Sequence, residues 1–289
     1  MTLFAKPVKN LWNQSFLFTV LMTFALSIGS AQTASSQREE LQSSQAPSHF
    51  IVYTVPKCGS HLLASCLYLL TKKKNQFLPT WPVQSKEDCI AHLQHLGTSH
   101  YEMSHERYRP EAWDWWRSLN IRGLFVIRDP RDASISMANW IVKGGVYPED
   151  STLYKWFITL THNEQIRWVI KHVNGRGMTQ LYQARLGWMM NDNVLTVRFE
   201  DLIGPRGGGT EPAQLHTVRR IAHFLDLKVG NETLVHTARH MHGHEDSPTF
   251  HKGKMGVWVD IFDEETKTLA KEAFGELLIS LGYEDSVNW

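Results

Sequence analysis

Phe50-Ile-Val-Tyr-Thr-Val55-Pro56-Lys57-Cys58-Gly59-Ser60-His61-Leu-Leu-Ala-Ser-Cys-Leu-Tyr-Leu-Leu70 is the stretch on which the fold turns. Residues 50–55 are β-branched and aromatic and end at a proline, the composition of a strand buried on both faces. Beyond Ser60, apolar residues at 62, 63, 66, 67 and 70 trace the 3.6-residue face of a helix. A strand that runs through a glycine-bearing turn into a helix N-terminus is suited to anions. Unpaired backbone N–H groups and the helix dipole point at whatever sits there. Gly59 lets the backbone approach closely, and Lys57 adds a point charge. A plain strand-to-helix connector has the same appearance, and the GxxxxGK[ST] phosphate loop is absent.

Outward from this unit the alternation continues. Ser85 with Asp88 opens a helix through Leu96 in the manner of a capping box. Gly123–Ile127 reads as a second buried strand, followed by a helix from Arg131 to Val142, and residues 193–198 read as a third. Helices are predicted over 151–172, 177–190, 211–226, 230–241 and 263–281. Such alternation predicts an α/β fold, a parallel sheet flanked by helices. Arg128, at the carboxyl end of the second strand, starts Arg128-Asp-Pro-Arg-Asp132, and Ser136 follows two helical turns later. Ligands of open α/β sheets bind in the crevice beyond those strand ends, so two basic strand ends suit a ligand with two separated phosphates. The plainer alternative has Arg128 and Asp129 capping the helix and pairing with each other. Gly204-Pro-Arg-Gly-Gly-Gly209 does not open from a strand and is given no phosphate role.

Four stretches, in order, resemble the sulfotransferase family. Val55-Pro-Lys-Cys-Gly-Ser60 is similar to its PKSGT 5′-phosphosulfate loop. Arg128 to Ser136 is similar to its 3′-phosphate motif, with the spacing of eight kept. Arg198-Phe-Glu-Asp-Leu202 resembles RYEDL, and His251-Lys-Gly-Lys-Met-Gly-Val-Trp258 resembles RKGxxGxW. The resemblance implies a P-loop NTPase-like sulfotransferase architecture over residues 48–289. It also implies transfer of a sulfuryl group from 3′-phosphoadenosine 5′-phosphosulfate to a small-molecule or glycan hydroxyl, with no metal. By that carry-over Lys57, Cys58, Gly59, Ser60 and His61 grip the 5′ end. Arg128 and Ser136 take the 3′-phosphate, with Phe199, His251, Lys252 and Gly253 completing the site. Lys57 is expected to stabilise the bridging oxygen. The general base is expected at His100, with His105 and Glu102 as fallbacks, because Thr98–His105 falls where the family keeps its histidine.

The chain departs from the family pattern at Cys58, His61, Leu62, Phe199 and His251. The last matters most, since a neutral imidazole does not fork onto phosphate as arginine does, and donor affinity is expected to rise as His251 protonates. A donor-binding but catalytically impaired module is therefore the alternative reading. Another P-loop nucleotide enzyme is a weaker one.

Composition narrows the remaining classes. The 289 residues carry 30 Lys and Arg against 29 Asp and Glu, a formal charge of +1, which argues against nucleic-acid binding by bulk charge. Lys6 and Lys9 precede the apolar run Phe16–Ile28 and the small residues Gly29-Ser-Ala31. Residues 1–31 are therefore expected to be a signal peptide for secretion or export to a periplasm, with a flexible linker over 32–47. The alternative is an uncleaved signal anchor through residues 11–31 that tethers a lumen-facing enzyme. Oligomeric state is open. Three cysteines do not make a disulfide scaffold; Cys58 and Cys66 lie too far apart along a helix to pair, while Cys89 has either as a candidate. His236 and His240 share a helical face, but no HExxH accompanies them, and a solvated helix end is expected rather than a metal site. Trp113, Trp115 and Trp116 are expected to pack a helix on the sheet, and Lys72–Lys74 to be a solvated helix end.

Overall fold

The computed structural model describes residues 49–78, 84–242 and 253–289. The predicted export segment 1–31, the linker 32–47, and His251 with Lys252 lie outside the described residues. Five parallel strands form one sheet in the order β2-β3-β1-β4-β5: β1 Phe50–Thr54, β2 Lys74–Leu78, β3 His100–Ser104, β4 Arg122–Ile127 and β5 Val194–Arg198. Every residue of β1 is buried, and so are five of the six in β4. Successive side chains point to opposite faces, so the central strands are covered on both sides. The flanking helices are α1 Ser60–Thr71, α2 Lys86–Leu96, α3 Pro110–Ser118, α4 Pro130–Val142, α5 Thr152–Phe157, α6 His162–His172 and α7 Met178–Gln183. They continue with α8 Phe199–Leu202, α9 Glu211–Phe224, α10 Asn231–His240, α11 Trp258–Ile261 and α12 Glu264–Ser280.

The chain leaves β1 toward β2 on one side and crosses back from β3 to β4 on the other. That reversal opens a crevice outside the carboxyl ends of β1 and β4, where an open sheet binds ligand.

Two strands were not predicted. β2 is a half-exposed edge of Lys-Asn-Gln-Phe-Leu, without a β-branched residue. β3 carries Glu102, only 1% exposed, which pairs with His92 at 2.5 Å. A buried carboxylate defeats a reading by hydrophobic pattern. Of Lys72–Lys74, expected as a solvated helix end, Lys72 is exposed and caps α1 in the left-handed region, whereas Lys73 is buried and exposed Lys74 begins β2. The helix predicted over 151–172 breaks where Thr161 and Glu164 form a capping box, and that over 177–190 shortens to α7 and a 3-10 turn, Leu186–Met190. The Ser85 hydroxyl accepts the Asp88 N–H as predicted. Trp113 and Trp116 are buried, Trp113 against Gly123 and Trp188. All three cysteines are buried free thiols.

Candidate active site

The turn after β1 is built by backbone geometry that the sequence permits at few positions. Cys58 N–H donates to Val55 O at 3.2 Å, Lys57 takes φ 68°, and Gly59 takes φ 104°. A Cβ on Gly59 would lie 2.5 Å from Phe199 Cδ2, so the turn rests directly on that ring. The Arg128 guanidinium stacks over the same ring, 4.3 Å from its centroid, and donates Nη1–H to Lys57 O at 3.3 Å. Lys57, Gly59, Arg128 and Phe199 thus converge where the carboxyl ends of β1, β4 and β5 meet. Ser60 and His61 open α1, whose N-terminus has no side-chain cap, so its backbone donors are available to an anion.

The electrostatics fit that use. Burial, then repulsion from Arg128 and Lys143, brings the Lys57 ammonium down to about 8. Its Nζ lies 4.4 Å from the centroid of the Trp140 ring. Arg128 Nε is buried without a hydrogen-bond partner among the described residues. Cations crowded at an uncapped helix N-terminus are relieved by an anion between them. A donor with phosphates at both ends meets that requirement.

The segment after Gly253 closes one side of the site. Arg128 Nη2–H donates to Lys254 O at 2.7 Å, and buried Asp132 accepts from Gly256 N–H at 2.6 Å and Trp258 N–H at 3.1 Å. Gly207 O accepts Met255 N–H, which gives the Gly204–Gly209 run a supporting role the sequence did not suggest. Arg131 lies against Trp258 and Trp289, 3.9 and 4.4 Å from their rings, and pairs with Asp129 and Glu284. Asp129 caps α4, so the cap and ion-pair alternative is realised for Asp129 with Arg131, and Arg128 is left to the site. Ser136 is half-buried in α4, two turns beyond its start. Glu200 accepts from Asp129 N–H and Tyr283 O–H, and burial pushes its carboxyl up to about 7.

Two assignments change with the geometry. His100 is the first residue of β3, opposite Lys74 at the amino end of the sheet. Five residues at about 3.3 Å each put it roughly 16 Å from the residue that follows β3. That residue is His105, whose Nδ1 lies 2.6 Å from Thr54 Oγ1 and 3.1 Å from Thr54 O. A carbonyl only accepts, so a proton on Nδ1 is the tautomer that satisfies both contacts, and it leaves the Nε2 lone pair for chemistry. Burial, together with the charges of Arg185, Lys57 and His61, brings the imidazole down to about 4. Glu102 is engaged by His92 at mid-strand and does not reach the site. Cys58 is turned away as well. Its Sγ is buried 3.2 Å from Tyr182 Oη, its N–H closes the turn, and burial pushes the thiol up to about 12, so it offers a ligand no side chain. Gly253 stands at φ 54° in the closing segment. On α10, His236 and His240 stack at 4.1 Å on an exposed face, and the described residues contain no group of three metal-type ligands.

Comparison with known protein families matches residues 47–282 to the sulfotransferase domain. Comparison with curated protein sequences returns no match. Among solved structures, mouse sulfotransferase SULT7A1 complexed with PAP superposes with a TM-score of 0.58 at 16% identity, over 80% of this chain and 83% of that one. Retinol dehydratase in complex with androsterone and inactive cofactor PAP gives 0.54 at 15% identity, over 80% and 81%. Those likenesses carry the fold, a five-stranded parallel sheet flanked by helices, and the domain match extends over the strands, the turn after β1 and the closing segment alike. The chain belongs to the sulfotransferase domain family.

Proposed function

We propose that the protein transfers a sulfuryl group from 3′-phosphoadenosine 5′-phosphosulfate to the hydroxyl of a small-molecule acceptor, with His105 as general base. The observation that carries the reading is the convergence of Lys57, Arg128 and an uncapped helix N-terminus beside a histidine kept neutral. The N-terminus of α1 with Ser60 and His61 takes the 5′ end of the donor. Arg128 and Ser136, with the segment from Lys252 and Gly253, take the 3′-phosphate. Lys57 stabilises charge on the leaving oxygen, and its lowered proton affinity lets the same group give up a proton there. The acceptor O–H loses its proton to His105 Nε2 as the new O–S bond forms and the S–O bond to phosphate breaks. Phe77, half-exposed near the end of β2, lies roughly perpendicular to the His105 ring with centroids 4.9 Å apart and gives the acceptor an apolar wall. That one structural neighbour was solved with androsterone supports an acceptor of small-molecule size.

The test pairs calorimetric binding of 3′-phosphoadenosine 5′-phosphate with sulfuryl transfer from labelled donor to a panel of apolar alcohols and phenols. Wild type binds in the micromolar range and Arg128→Ala loses at least tenfold. His105→Ala keeps donor binding and loses turnover by about 10²–10⁴-fold, as for removal of a general base. His100→Ala matches wild type in both. Absence of donor binding by the wild-type chain at pH 6 and pH 7 sinks the proposal.

A further inference from the structure

Arg185, between α7 and the Leu186–Met190 turn, is 7% exposed, and among the described residues its hydrogen bonds all run to backbone carbonyls. Nε and Nη2 fork onto His105 O at 2.8 and 2.6 Å, and Nη1 reaches Leu181 O at 2.7 Å. A cation buried against carbonyls is costly to hold, and burial brings its own proton affinity down to about 10, with Arg107 adding to that and Glu106 opposing it. The neighbouring backbone is gripped from the same side. Tyr108 N–H donates to Ala184 O at 2.8 Å, and Trp188 Nε1–H to Glu106 O at 3.4 Å. Residues 181–188 therefore hold residues 105–108 at three points, one of them the carbonyl of His105 itself.

A guanidinium forked on one carbonyl fixes the plane of that peptide, and with it the direction in which the imidazole leaves the end of β3. Its charge acts in addition. The groups facing His105 are Thr54 from β1, Lys57 from the phosphate turn, His61 from α1, Phe77 from β2 and Arg185. Thr54 O favours the imidazolium, whereas Arg185, Lys57 and His61 oppose it. Resting on the sulfotransferase reading for the role of His105, we infer that Arg185 is a positioning residue for the general base, clamping its carbonyl and placing a fixed positive charge beside its ring. Lys57 and His61 also meet the donor, so their charge at the ring changes as it binds. Arg185, bonded to carbonyls alone among the described residues, contributes a constant field that adds to burial, the larger cause, in disfavouring the imidazolium.

The test is a ¹³C-histidine NMR titration of the full chain, with His105 assigned by its loss in His105→Asn. It is run on wild type, Arg185→Gln and Arg185→Lys, with 3′-phosphoadenosine 5′-phosphate affinity and transfer kinetics measured in parallel. Wild-type His105 titrates below pH 5. In Arg185→Gln its midpoint rises but stays below the ordinary histidine value, because burial is the larger cause, and kcat falls tenfold or more while the donor KM stays within twofold. Arg185→Lys keeps the low midpoint, because the charge remains, and shows an intermediate kcat, because the fork is lost. Arg185→Gln with an unmoved midpoint and wild-type kcat overturns the inference. If Arg185→Gln does not melt cooperatively, Arg185→Lys decides. Its midpoint rising to the ordinary histidine range, or its kcat equalling wild type, overturns the inference equally. Failure of wild type to bind the donor defeats the sulfotransferase reading, while the midpoint comparison still tests the clamp.

Discussion

Gly59→Ala puts the whole turn after β1 to the test. The residue sits at φ 104° and ψ 27°, where an L side chain costs about 1–3 kcal/mol. The added methyl would stand 2.5 Å from Phe199 Cδ2, too close for any pair of carbons, so the ring must shift. Phe199 is buried beneath Arg128, so the ring has little room, and overpacking of this kind costs about 1–3 kcal/mol. The two together come to about 2–6 kcal/mol and, at about 2–4 °C per kcal/mol for a domain of this size, lower Tm by roughly 4–24 °C. The shifted ring also carries Arg128 out of line. Loss of one charge-assisted hydrogen bond, about 1.5–3 kcal/mol, raises the Kd for 3′-phosphoadenosine 5′-phosphate by roughly 10–100-fold. Scanning calorimetry and titration calorimetry read the two effects separately. Adding Phe199→Leu to Gly59→Ala removes the steric part and leaves the backbone part, so the double variant regains about half the lost stability. A Gly59→Ala protein that melts within 1 °C of wild type and binds the donor product within twofold refutes the account of the turn.

Asp132→Ala strips the acceptor from two backbone N–H groups, Gly256 and Trp258, in a buried setting. At about 1–3 kcal/mol for each unsatisfied group, amide exchange at Gly256 and Trp258 accelerates and donor affinity falls; unchanged exchange there excludes Asp132 as the anchor. The pH dependence of stability separates two buried groups of opposite sign. His105 falls from 6.5 to about 4 on folding, so its contribution is complete above pH 6.5 and disappears as pH drops toward 4. Glu200 rises from 4.5 to about 7, so its contribution is complete below pH 4.5 and disappears as pH climbs through 7. Each is on the order of 3 kcal/mol. Relative to wild type in urea unfolding, His105→Asn therefore loses stability as pH rises from 4.5 to 6.5, and Glu200→Gln gains it. Parallel curves for the three proteins contradict both assignments.

What the sequence revealed follows burial. β1, β4 and β5 are runs of apolar residues, and the turn and Arg128 sit at their ends, so both were readable from composition and order alone. β3 was not, because His-Tyr-Glu-Met-Ser hides a buried carboxylate whose partner, His92, lies on another element. Without β3 there was no register, and without register nothing separates His100 from His105. Pairing Tyr53 with Ser104 is what brings His105 beside Thr54. Cys58 misled for a related reason. In a turn with φ 68° at the preceding residue, which side chain faces the ligand and which faces the core is set by backbone torsion rather than residue type. Asp132 lay inside a quoted motif, yet its partners are 124 and 126 residues away.

Those separations have a consequence for how the molecule comes to exist. Arg128 meets Lys254 across 126 residues, and Arg131 meets Glu284 across 153. Loop-closure entropy delays such contacts until the elements between are in place. During synthesis, β1, the turn after it and β4 leave the ribosome long before Lys254, Gly256 and Trp258, so the candidate site is completed late. On the proposed function, a donor that binds the completed site more tightly than any earlier state favours the last docking step over its reversal.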